Sequence, residues 1–209
     1  YKTSIKTKST EIIYSHKYGA NAAREDSTGS VWFTQSTENQ NEERLFMALD
    51  KAIPDGALYR IPISKDGTLS KPELILKNLY FANGFYIDEK RSKLYLSEMM
   101  KNRVLSFDLD ILTGSVSNQT TLAVLPTPDN MEINSEGQLW ISSPLSNQIY
   151  SVDPENGETY VVFDAQTQIG FEIMEEAIRR MELGEGFAEL LTSELTGEMP
   201  GLLTGLIVG

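Results

Sequence analysis

Apolar residues in this chain fall in short alternating runs separated by Gly, Asp, Asn and Pro. Val31-Trp32-Phe33-Thr34, Leu94-Tyr95-Leu96-Ser97 and Leu139-Trp140-Ile141-Ser142 are three such runs, and each reads as a half-buried β-strand. Asp66-Gly67, Glu136-Gly137 and Asn156-Gly157 supply strong turn signals between runs. The runs also repeat. Ser9–Asn21 overlays Lys71–Asn83 without a gap at an offset of 62, with Glu11 on Glu73, Ile13 on Ile75, Tyr18 on Tyr80, Ala20 on Ala82 and Asn21 on Asn83. A third copy, Thr121–Asp129, follows 46 residues later.

Each copy continues into a turn, at Asp26, Asp88 or Asn134, and then into one of the three runs. A second run follows at Leu58–Ile61, Val104–Phe107 and Ile149–Val152, at spacings of 46 and 45 residues. The longer first period is the same unit with about 16 extra residues between Gln35 and Gly56. About four short strands per repeat of about 45 residues predicts an all-β fold of β-propeller blades. The competing all-β architecture, a sandwich, has no need of self-similar units. The units expected are 21–82, 83–128 and 129–163, preceded by a partial blade at 1–20.

After Phe163 the period changes. Phe171, Met174, Ala177, Ile178 and Met181 fall on one face of a helix, Gly184 and Gly186 interrupt it, and Phe187, Leu190, Leu191 and Leu195 resume it. The polar face carries Glu172, Glu175, Glu176 and Glu182. It is too acidic for a membrane-surface helix, so packing against the propeller is expected. Residues 164–209 thus read as a helical insertion plus, at 202–209, the first strand of a further blade. Three full units and two partial ones cannot close a ring, so the sequence is expected to be a piece of a longer protein.

Composition narrows the chemistry. Among 209 residues there are 18 basic and 30 acidic side chains, a net charge of −12, no cysteine and one histidine. Disulfides, thiolate metal sites and cysteine nucleophiles are excluded, and a His-rich zinc site cannot be built. An acidic chain is a poor partner for nucleic acid. No apolar run approaches the roughly 20 residues of a transmembrane helix. A soluble protein is expected, cytoplasmic or secreted or periplasmic, with no compartment and no protein partner assigned.

Asn21, Asn83 and Asp129 occupy the same place in successive units, just before the innermost strand. In a propeller such positions converge on one end of the central channel, and Asn130 joins them. Amide and carboxylate oxygens form a hard donor set suited to calcium or another divalent cation. The alternative is turn chemistry, because Asn and Asp before a strand readily bond their own backbone. The neighbours differ while the polar residue recurs (Ala20-Asn21-Ala22, Ala82-Asn83-Gly84, Pro128-Asp129-Asn130), which favours a shared role. The lone His16 reads as a loop residue. The 35–56 insertion carries Glu38, Glu42, Glu43 and Asp50 with an apolar patch at Leu45, Phe46 and Met47; it reads either as a lid or as a solvated loop with one helical turn.

Trp32-Phe33-Thr34-Gln35-Ser36-Thr37, Phe46-Met47-Ala48-Leu49-Asp50, Leu79-Tyr80-Phe81-Ala82-Asn83-Gly84 and Pro128-Asp129-Asn130 resemble, in order and spacing, the strictosidine synthase-like proteins. Those group with gluconolactonase/regucalcin and the paraoxonases in one superfamily of six-bladed calcium propellers. The resemblance covers residues 10–163 and, more weakly, 195–209. It implies a catalytic calcium at the channel mouth, with Asn21, Asn83, Asp129 and Asn130 at metal-contacting positions and Asn21 also contacting substrate. It further implies a metal-binding glutamate from a first blade and, for strictosidine synthesis, a glutamate from a late blade; neither has a counterpart in this chain. Ala22 stands where relatives often carry an acid. The expected function is calcium-dependent hydrolysis of a small lactone or ester, with Asp129, the only channel carboxylate in the repeat, assisting water. The alternatives are a non-catalytic binding module and a strictosidine synthase-like condensing enzyme.

Overall fold

The computed structural model describes residues 1–39, 47–197, 199 and 201–206. Three of the repeated segments each fold as a four-stranded antiparallel meander. The first contains β3 (Ala23–Glu25), β4 (Val31–Gln35), β5 (Gly56–Ile61) and β6 (Glu73–Leu79), after a short hairpin of β1 (Lys2–Thr3) and β2 (Thr10–Glu11). The second contains β7 (Ala82–Asp88), β8 (Lys93–Glu98), β9 (Arg103–Asp110) and β10 (Ser115–Val124). The third contains β11 (Met131–Ile133), β12 (Leu139–Ser143), β13 (Gln148–Val152) and β14 (Thr159–Asp164).

The register repeats from blade to blade. Arg24 pairs with Trp32, Tyr86 with Tyr95 and Glu132 with Trp140. The turns that set this register are closed by the polar residues the sequence repeats. Asp26 Oδ1 accepts the Thr28 and Ser30 N–H groups at 2.9 and 3.1 Å, and its Oδ2 accepts the Trp32 indole N–H at 2.7 Å. Asn134 Oδ1 does the same for Glu136 and Gln138. A side chain that bonds the backbone two and four residues on fixes a tight reversal between the first two strands.

Apolar faces are buried between blades. Trp32, Leu58 and Leu79 pack on Phe85, Leu94, Leu96 and Phe107. Tyr95, Val104 and Leu125 pack on Met131, Leu139, Ile141 and Val152. The inner strands approach closely at Gly84, where a Cβ would lie 2.5 Å from the Asn130 Cα and 2.6 Å from the Asp129 carbonyl oxygen. Both atoms are backbone, so no side-chain adjustment makes room. Gly84 also donates its N–H to that carbonyl at 3.1 Å.

Helix α1 (Gln168–Leu183) starts at Thr167, whose Oγ1 accepts the Gly170 N–H at 2.9 Å. It ends at Gly184, which takes the left-handed conformation at φ 69°. Gly170, Met174 and Ala177 are its buried residues, and Ile178 and Met181 pack against the same apolar cluster, so the packing face is the one the spacing predicts except at Phe171, which is exposed. Short 3₁₀ turns follow at Ala188–Leu190 and Ser193–Leu195.

Two expectations about the edges change. Residues 202–206 are not a strand: the Thr204 carbonyl is taken by the Asn130 amide and the Ser142 hydroxyl instead of by a neighbouring strand. In the insertion, residues 47–50 form one helical turn, but Met47 is exposed, and Ala48 and Leu49 make the apolar contact. Glu42, Glu43, Leu45 and Phe46 lie outside the described residues, as do residues 207–209. Among the described residues no helix is long and apolar enough to cross a membrane.

Candidate functional site

The repeat brings its polar residues to one place. Asn21, Asn83, Asp129 and Asn130 line a single pocket of about 390 Å3 where the inner strands begin. Backbone pairing aims them there: Asn21 N–H reaches the Thr34 carbonyl at 2.8 Å, and Asp129 N–H reaches the Ser142 carbonyl at 2.9 Å. Thr34 Oγ1 in turn donates to the Asn83 carbonyl at 2.8 Å, linking one blade's second strand to the next blade's site residue.

In all three amides the nitrogen is the atom the protein engages. Asn21 Nδ2 donates to Ser36 Oγ at 2.8 Å. Asn83 Nδ2 lies 3.5 Å from Met99 Sδ. Asn130 Nδ2 donates to Asp129 Oδ1 at 2.9 Å and to the Thr204 carbonyl at 2.6 Å. Asn83 is 3% exposed, and its Oδ1 is buried with no hydrogen-bond partner. A buried amide oxygen in this state costs on the order of 1–3 kcal/mol until something engages it.

Asp129 is 6% exposed. Burial pushes its carboxyl up from 3.8 to about 7, against a smaller downward pull from the Asn83 amide. None of the ion pairs among the described residues involves Asp129. No group of three or more His, Cys, Asp or Glu side chains placed to hold a metal ion occurs among the described residues either. The donor set is therefore one carboxylate with amide oxygens. The orphaned Asn83 Oδ1 beside a carboxylate with no ion pair among the described residues fits a hard divalent ion in ligand type and charge sign. It supplies fewer than the six to eight oxygens that calcium takes.

The pocket has features that the repeat did not disclose. Thr127 is buried with a positive φ of 36°, bonded through its N–H to Asn102 Oδ1 at 2.9 Å. Met99, Thr127 and Thr204 also line the pocket, and no repeated motif marks them. His16, read as a loop residue, is held among the rings of Tyr14, Tyr18, Phe33 and Tyr59, with centroids 4.8–6.1 Å away. Its Nε2 lies 2.8 Å from Gln35 Oε1. The alternation Tyr14-His16-Tyr18 was the available signal. This cluster lies on the first blade, and His16 is not among the pocket residues.

Residues 4–169 match the family model described as SMP-30/Gluconolactonase/LRE-like region. The chain belongs to that SMP-30/gluconolactonase family. Among curated relatives, Protein STRICTOSIDINE SYNTHASE-LIKE 13 of Arabidopsis thaliana is 28% identical over 115 residues, covering 54% of this chain and 27% of the relative. Among solved structures, a gluconolactonase from Xanthomonas campestris aligns at a TM-score of 0.55 and 20% identity, covering 72% of this chain and 48% of that one. A calcium-binding protein, regucalcin, from Agrobacterium tumefaciens aligns at 0.51 and 17%, covering 68% and 43%. These likenesses give the SMP-30/gluconolactonase chain a β-propeller fold. The aligned segment spans about a quarter of the Arabidopsis relative and under half of the two solved structures.

Proposed function

We propose that this SMP-30/gluconolactonase chain carries part of the active site of a calcium-dependent hydrolase of small lactones or esters. The observation that carries the reading is that a buried Asp129 with no ion pair among the described residues and the orphaned Asn83 Oδ1 share one pocket. Asn83, Asp129 and Asn130 would hold the ion, with Asn21 beside them. When bound, calcium would polarise the substrate carbonyl and offset the charge that develops on its oxygen.

The chain's own residues supply the rest. Asp129, the one carboxylate among the described residues that line the pocket, serves as the base. It orients a water and takes its proton as the water oxygen bonds to the carbonyl carbon. The ring or ester C–O bond then breaks, and the proton passes to the departing oxygen, giving a hydroxy acid, or an acid and an alcohol. Asn130 holds Asp129 Oδ1 in place at 2.9 Å. Asn21, exposed at the pocket and fixed through Ser36, faces substrate.

The test is hydrolysis of simple lactones and aryl esters with calcium and with chelator. Asp129→Asn should lower the calcium-dependent rate by about 100-fold or more; an unchanged rate would remove Asp129 as the base. Calcium at 100 times its dissociation constant should stabilise the fold by about 2.7 kcal/mol, read as a rise in Tm. No shift with calcium or chelator would remove the metal site.

A further inference from the structure

Successive blades meet at two equivalent clefts, and the chain treats them differently. In the first blade Trp32 pairs with Arg60 across β4 and β5; in the second, Tyr95 and Ser106 hold the same register across β8 and β9. Arg60 is 4% exposed and crosses to the second blade, where its Nη2 donates to the Ile111 carbonyl at 3.1 Å. Its guanidinium lies 5.5 Å from the Trp32 ring centroid, and a Cβ on Gly114 would sit 2.5 Å from its Cδ. The receiving turn, Asp110–Gly114, recurs in the third blade as Asp153–Gly157. Both are closed by a glycine N–H on an aspartate carbonyl, at 2.7 and 2.8 Å. Ser106 is too short to reach that second turn, and a cleft of about 420 Å3 remains between the second and third blades. It shares no residue with the Asn83 pocket. Strand β7 starts at that pocket and ends at Asp88, beside Arg91 of the cleft, so the two lie at opposite ends of the blade.

The second blade lines this cleft with a row of hydroxyls. Tyr95, Ser106 and Thr120 stand directly opposite one another on β8, β9 and β10, so their side chains share one face. Tyr95 packs that face on the third blade. It is 0% exposed, and its hydroxyl is buried with no hydrogen-bond partner. The equivalent indole N–H of Trp32 has one, Asp26 Oδ2 at 2.7 Å. In the second blade the matching carboxylate, Asp88, is taken by Arg91 Nη1 at 2.8 Å instead. Burial, with the Asp88 charge adding to it, pushes the Tyr95 pKa up to about 12, so the hydroxyl keeps its proton and can donate it. Arg91 and Glu155, whose charges also act on that hydroxyl, line the cleft from its two blades.

The charges around the cleft cancel. Arg91 is paired with Asp88 and Lys93 with Asp108, and Glu155 lies 3.9 Å from Arg91. An anion finds no unpaired cation here, and a cation meets two positive side chains. A neutral molecule rich in hydroxyls meets neither obstacle, and each of its hydroxyls donates and accepts as the facing row requires. About 420 Å3 holds roughly fourteen water-sized groups at about 30 Å3 each, the size of a six-carbon polyol ring.

We infer that the cleft between the second and third blades binds a neutral, single-ring polyol through Tyr95, Ser106 and Thr120, in the space that Arg60 fills between the first and second. This site is independent of the hydrolase reading. The experiment is a saturation-transfer NMR titration of the full chain with myo-inositol and the methyl glycosides of glucose, galactose and mannose. Inorganic phosphate and methylguanidinium serve as charged competitors. At least one polyol should bind in the millimolar range, and neither ion should displace it. Tyr95→Phe removes the hydroxyl and keeps the ring; it should weaken binding about tenfold without lowering Tm. Ser106→Arg should fill the cleft as Arg60 fills its neighbour and abolish binding. Where Ser106→Arg does not fold, Tyr95→Phe decides alone. Absence of binding by all four polyols, displacement by either ion, or equal affinity in the parent and Tyr95→Phe overturns the site. A fall in the Tm of Tyr95→Phe overturns it too, because the hydroxyl would then already have a partner.

Discussion

Arg24 and Asn83 sit on neighbouring inner strands and meet opposite fates. Arg24, three residues past Asn21, donates Nε to the Phe85 carbonyl at 2.7 Å and Nη2 to the Met131 carbonyl at 2.7 Å. Its Nη2 also reaches Glu132 Oε2 at 2.8 Å, and the guanidinium lies 4.8 Å from the Tyr86 ring centroid. One side chain from the first blade thus closes onto the second and third. Three residues back along the same strands, Asn83 Oδ1 is unpartnered, and none of the ion pairs among the described residues involves the buried Asp129. Polar groups satisfied by protein partners hold a fold together; polar groups buried with bonding capacity left over cost stability and are suited to a ligand. The two stations share a scaffold, so the difference lies in the side chains and not in the backbone.

Mutation can break that contrast directly. Arg24→Ala should destabilise the chain by about 3 kcal/mol, because it leaves Glu132 and two carbonyls unpaired; a shift in denaturation midpoint measures it. A loss well under 1 kcal/mol would mean that the far station is not a clamp. Asp129→Asn should act in the other direction. Its carboxyl is raised from 3.8 to about 7, so its contribution to stability is fully present below about pH 4 and is lost as pH rises through 7. With chelator present at pH 8, the asparagine variant should be about 2 kcal/mol more stable than the parent. At pH 4 the two should converge, and a pH-independent difference would show that the carboxylate is not strained by burial. The smallest effect belongs to Ser36→Ala, which removes the bonds that join Asn21 Nδ2 to the Ala82 carbonyl through one hydroxyl. It should cost about 1 kcal/mol and weaken the calcium-induced rise in Tm, measured on the same samples.

Much of this was readable from the chain because propeller blades are local. The turns at Asp26 and Asn134 and the strands at Trp32, Tyr95 and Trp140 need only neighbours within about 45 residues, and repetition made them visible. The polar residues at 21, 83 and 129 were legible for the same reason. What stayed hidden depends on contacts that no periodicity encodes. Asp50 meets Ala188 across 138 residues, and only packing decides that Leu49 and Leu191 share one apolar cluster. Arg24 occurs in one blade alone, so the repeat passed over it. Residues 202–206 look like a strand by composition, but a strand needs a partner edge, and the Thr204 carbonyl is already taken by Asn130 and Ser142.

Gly84 gives the second blade no side chain where it touches the third, and backbone rests on backbone there. The separation between positions 83 and 129 is consequently set by main-chain atoms that substitution at either position leaves in place. Those two side chains behave as exchangeable fittings on a fixed mount. Swapping amide for acid, or acid for amide, would change the charge at the mouth without asking the propeller to move.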